Sequence, residues 1–99
     1  MHVRIAQFEA APTDLDERIS EVRRRMQTDE MGMMQHISRS MMLVDRESGK
    51  GASWILCETE EDLRKVDEIM NNATPPGGQQ RRTSVQLYEV AVDSQEFAK

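Results

Sequence analysis

Apolar and polar positions first alternate from Val3 to Ala10, with Val3 and Ile5 on one side and Ala6, Phe8 and Ala10 on the other. That period of two predicts a strand. Pro12 ends it. The period then lengthens: Leu15, Ile19, Val22 and Met26 follow at spacings of four, three and four, which is one stripe of a helix. Thr13 or Asp14 is placed to cap this helix, with Asp16 or Glu17 at the capping-box position three residues on. Acidic residues crowd its first turns and arginines its later ones, the order that the helix dipole favours.

After a turn over 27–32, alternation returns from Met34 to Val44, with Ile37, Met41 and Leu43 on one face and Met42 and Val44 on the other. Residues 45–51 form a polar loop, in which Gly49 and Gly51 supply the positive φ that a reversal needs. Ala52 to Glu58 comes back as a strand and completes a hairpin, with Ser53, Ile55 and Cys57 pointing one way and Trp54 and Leu56 the other. Thr59 caps a second helix whose first turn is Glu60, Glu61 and Asp62 and whose apolar side is Leu63, Val66, Ile69 and Met70. Asn71 and Asn72 fray that helix, and Thr74-Pro75-Pro76-Gly77-Gly78 continues neither helix nor strand. A last strand runs from Arg82 or Thr83 to Val92, with Val85 and Leu87 on one face and Tyr88, Val90 and Val92 on the other. Residues 1–93 read as a single domain and 94–99 as a polar tail.

The order β-α-β-β-α-β predicts a ferredoxin-like α+β fold, an antiparallel four-stranded sheet with both helices on one face. Two helices cover one face, yet all the strands carry apolar residues on both. A sheet with a wet face alternates more cleanly, and an apolar patch beyond a few hundred Å² is unusual on a monomer. The pattern therefore predicts a homodimer joined through the open sheet face. The blander reading is that some apolar side chains on that face are tolerated in water.

Composition narrows the function class. Ninety-nine residues at 37% hydrophobic and 31% charged fit one small globular domain. No apolar run approaches the ~20 residues of a membrane span, and the start MHVRIAQFEA has no export signal, so cytoplasmic residence is the default expectation. A net charge of −5 argues against nucleic acid as a partner. The run Arg23-Arg24-Arg25 reads as a solvated helix face with pairs such as Glu21–Arg25. The single cysteine, Cys57, excludes an internal disulfide; as a strand residue beside Ile55 it reads as a small hydrophobe before a reactive thiol.

The stretch LVDRESGKGASWILCETEEDLRKVDEIM, residues 43–70, resembles the hairpin-and-helix segment of antibiotic biosynthesis monooxygenase-like proteins. The matching features are the apolar strand ending in Asp45, the Ser48-Gly49-Lys50 turn and the junction Glu58-Thr59-Glu60-Glu61-Asp62-Leu63; the element order extends the likeness over about residues 3–92. The resemblance implies a dimeric α+β barrel. In that family an aromatic residue often precedes the glutamate that closes the third strand; here Cys57 holds the place, and Trp54 lies on the other face. The family includes cofactor-independent oxygenases, haem-degrading enzymes and proteins without known activity, so the likeness alone does not make an enzyme.

A cofactor-free oxygenase needs an apolar cavity and a group that draws off a proton. His36 is the candidate base, on the reading that it lies in mid-strand; a structural histidine is the blander alternative. Arg39 is the candidate grip for an anionic substrate, against a simple ion pair with the partner chain. Trp54 and Tyr88 are candidate walls for a planar ligand, against ordinary core packing. No cofactor is expected. The second helix, 59–72, offers no histidine to haem, and two histidines 34 positions apart make no metal-ligand spacing. Methionines at 31, 33, 34, 41 and 42 suggest either a plastic pocket or flexible core filler. The expectation is a protein that binds or oxidises a small organic molecule between sheet and helices; the alternative is a non-enzymatic binding or assembly module. An enclosed cavity of about 300 Å³ or more that receives His36 or Arg39 favours the first; a filled interior, with those residues on the surface or at the interface, favours the second.

Overall fold

The structure, a computed structural model, describes residues 1–73 and 81–98. The elements are β1 (His2–Glu9), α1 (Leu15–Thr28), β2 (Arg39–Val44), β3 (Lys50–Cys57), α2 (Glu60–Asn72) and β4 (Arg81–Glu89), with short 3-10 turns at Pro12–Asp14, Met34–His36 and Ser94–Phe97. The strands pair in the order β2-β3-β1-β4, every neighbour antiparallel. This is the ferredoxin-like α+β arrangement that the alternation of elements predicts. The Pro-Pro-Gly-Gly segment lies outside the described residues.

Register assigns the two faces. Arg4 stands opposite Ile55 and Leu87, and Ala6 opposite Ser53 and Val85. Facing residues of antiparallel strands share a side, so these lie together on the helix-covered face. On the open face Ile5 stands opposite Trp54, which in turn faces Met41, while Val3 lies between Leu56 and Tyr88. α2 packs closely on β1 and β3, whereas α1 stands farther from the sheet. Ile55, Cys57, Leu63 and Val66 form the buried core under α2, with Met33, Ile37 and Met70 packed against it.

Several local expectations change in the folded chain. α1 has no side-chain cap; Asp14 is helical and its N–H donates to the Ala11 carbonyl at 2.9 Å, so a 3-10 turn leads the chain in and neither Thr13 nor Asp14 caps. α2 does have its cap, the Thr59 hydroxyl accepting from the Asp62 N–H at 3.1 Å. The strand expected from Met34 begins only at Arg39. Asp29 takes a left-handed φ of 48°, and its carboxylate accepts from the N–H groups of Met33 and Met34 at 2.9 and 3.1 Å, which folds this stretch into a turn instead. β4 stops at Glu89, so Val92 lies beyond the sheet and is exposed. Of the hairpin glycines only Gly49 has a positive φ, 78°; Gly51 sits within β3, where a Cβ would meet the Phe8 ring.

Candidate functional site

Because α1 stands off the sheet, a cavity of about 330 Å³ opens between them. Its floor is the helix-covered face, with Arg4, Ala6, Phe8, Ser53 and Ile55; its walls are Val22, Arg25 and Met26 of α1, the 29–37 connection, and Met70, Asn71 and Ala73 around the end of α2. The volume falls within the range of small-molecule sites. Seven of the eight methionines border it, all but Met1, although register turns Met41 toward the open side of β2. Both readings of the methionine cluster hold in the folded chain: Met31, Met34 and Met42 line the pocket, and Met33 lines it while packing against the core. The sequence gives the reason: the helical stripe places Val22 and Met26 toward the sheet, and both remain only partly covered because they face the cavity.

The candidates read from the sequence do not gather here. His36, expected in mid-strand, is in the turn Met34–His36, and its Nδ1–H donates to Asp62 Oδ1 at 2.9 Å. It does not line the cavity. This bond, followed by the Thr59 hydroxyl, holds the Asp62 carboxyl below its ordinary range. Arg39 is exposed at the start of the edge strand β2 and faces the open side, opposite Leu56. Trp54 and Tyr88 lie on that same open face, 43% and 46% exposed. The cavity is present, then, without His36 or Arg39 in it. Cys57 is buried, and its thiol is pushed up by that burial and by the nearby Asp62 charge, so it has the character of an inert core residue.

The charged residues that do line the cavity are Arg4, Arg25, Asp29 and Arg82. Arg25 is held by Glu21 at 3.3 Å, as the helical spacing predicts, and Arg24 grips the same Glu21 at 2.6 Å. The Arg24 bond lowers the Glu21 carboxyl to about 2. Arg82 Nη1 donates to Asn71 Oδ1 at 2.8 Å. Arg4 escaped the sequence reading although its signal was there, a charge at the alternation position shared by Ala6 and Phe8. Among the described residues no group of three His, Cys, Asp or Glu could hold a metal ion, and no helix is long and apolar enough to cross a membrane.

The Asp62–His36 bond sets a pH dependence. Asp62 has a folded-state pKa below the ordinary ~3.9, so the stability it contributes is present above that value and is lost as the pH falls through the folded one. The urea midpoint is expected to fall as pH drops from about 4 toward 2, and to fall less steeply in Asp62→Asn. Parallel slopes for the two proteins would remove Asp62 from the acid limb.

No protein-family model and no curated protein matches the chain.

Proposed function

We propose that this protein is a homodimer that binds a small, largely apolar organic molecule between its sheet and helices, in the manner of the dimeric α+β barrels of the antibiotic biosynthesis monooxygenase family. The observation that carries the reading is the methionine-lined cavity of about 330 Å³. Thioether side chains adapt to irregular ligands at little cost, and such a wall suits a binding site better than a rigid core. Binding stands ahead of oxygenation because His36, the side chain suited to drawing off a proton, is bonded to Asp62 outside the lining. A methionine-methyl NMR titration with 1-decanol tests the site. The methyls of Met26, Met33, Met34 and Met42 are expected to shift while that of exposed Met1 stays fixed; uniform or absent shifts refute the reading.

The dimer rests on the open face, where Ile5, Met41, Leu43, Trp54, Leu56 and Tyr88 make an apolar field that no element of the described chain covers. A second copy offers the same field, and a two-fold axis lets each sheet bury the other. A charge at Trp54, near the centre of that field, would be desolvated without a partner. Trp54→Lys is expected to weaken the dimer about 30-fold or more, read by sedimentation equilibrium across a dilution series. A wild-type chain that sediments as a single subunit at micromolar concentration would overturn the dimer.

A further inference from the structure

Arg4 bears on the chemistry of the ligand. It occupies the middle of β1 on the helix-covered face and is 1% exposed. Its Nε donates to Asp67 Oδ1 at 2.9 Å, and its Nη2 reaches Asn71 Oδ1 at a long 3.4 Å. Nη1 is buried and has no acceptor among the described residues. A guanidinium carries five N–H donors, and buried polar groups are as a rule satisfied, so an orphan donor on a buried cation marks the place of a missing acceptor. Arg4 forms part of the cavity wall, and the cavity is where such an acceptor can be supplied.

The surroundings favour a negative one. The lining holds three arginines against a single acid, Asp29, whose carboxylate is already committed to two backbone N–H groups. Arg82 rests on Asn71, a neutral side chain that also serves Arg4 through the same oxygen. Arg4 is paired with Asp67 and Arg25 with Glu21, acids outside the lining, whereas Arg82 meets only this neutral amide among the described residues. In a chain of net charge −5 the cavity wall thus presents guanidinium donors, one of them with no described acid beside it, among apolar side chains. The volume corresponds to about eleven groups of water size at ~30 Å³ each.

We infer that the cavity takes an organic carboxylate with an apolar body of about ten non-hydrogen atoms, one carboxylate oxygen accepting from Arg4 Nη1 while the body lies along the methionines. This rests on the binding reading above. Reaching Nη1 requires the wall to give, and the methionine side chain gives most readily.

Calorimetric titration of decanoate and of 1-decanol, neutral and of matching length, into the wild type, Arg4→Met and Asn71→Asp tests the inference. The wild type is expected to bind decanoate about tenfold or more tighter than decanol. Arg4→Met loses that preference and keeps decanol. Asn71→Asp, which sets a carboxylate between Arg4 and Arg82 at an exposed position, loses it too, and decides the matter if Arg4→Met does not fold. Equal affinities in the wild type, or a preference that survives in the variants that fold, overturn the carboxylate inference and leave the cavity reading standing. Failure of both probes to bind the wild type overturns the cavity reading, and this inference with it.

Discussion

Asp67→Ala is expected to destabilise the chain by about 3 kcal/mol, a fall in Tm of roughly 15 °C for a domain of this size. Asp67 is the only ion-pair partner of Arg4 among the described residues, at 2.9 Å, and Arg4 is buried in the sheet–helix interior while Asp67 is partly open to water. Removing the acid strands a buried cation without its counter-charge. Removing the cation is a different matter. Arg4→Met withdraws the buried charge and leaves an aspartate that water can reach, so the expected loss is only about 1 kcal/mol. The contrast between the two variants in urea denaturation is the sharp readout. Equal losses would mean that the Arg4 guanidinium finds another partner or water once Asp67 is gone.

Gly49→Ala is expected to lose about 3 kcal/mol or more, through two effects that add. Gly49 has a φ of 78°, a region that an L-residue enters at a cost of ~1–2 kcal/mol. A Cβ there would also run into the Ala10 carbonyl oxygen and come within 3.2 Å of Pro12 Cδ. That carbonyl belongs to a fixed stretch, because the Ala10 N–H donates to the Gly49 oxygen at 3.0 Å and ties the hairpin loop to the end of β1. Gly32 separates the two effects. Its φ is similar, 68°, but a Cβ there meets nothing within 4 Å. Gly32→Ala should therefore lose only about 1 kcal/mol. Similar losses for both glycines in the same denaturation series would show that backbone conformation alone decides, and that the close approach to Ala10 is relieved at no cost.

The rest of the hairpin follows from its side chains. Asp45 accepts from the Glu47 N–H at 3.0 Å and Ser48 from the Lys50 N–H at 3.2 Å, local bonds that favour a turn over continued strand. The Glu47 bond, followed by those from Ser48, holds the Asp45 carboxyl below its ordinary range. These features are readable from the residue types. The exact use of each glycine is not, because a Cβ on Gly51 would run into the Leu43 carbonyl and the ring of Phe8, which only strand pairing brings beside it.

What the sequence determined by itself is whatever depends on near neighbours along the chain. Alternation marked β1, β3 and β4, the stripe from Leu15 to Met26 marked α1, and the Thr59 cap marked the start of α2. Both faces of β3 were correctly sorted, Ile55 and Cys57 inward and Trp54 outward. Local rules failed at Met34–His36, where Asp29 reaches forward to bond two backbone N–H groups and overrides an alternating pattern. His36 lost its place in a strand with it, and so its standing as a base facing the cavity.

Tertiary structure alone decided which residues surround the cavity. Its lining draws on all four strands, α1, the 29–37 connection and the end of α2, segments far apart in sequence whose meeting depends on how far α1 stands from the sheet. That standoff is a balance of packing among many side chains, and no periodicity records it. The same holds for Arg4. Alternation put a charge on the inner face, but whether it is paired, stranded or hydrated depends on Asp67 and Asn71, more than sixty residues away along the chain.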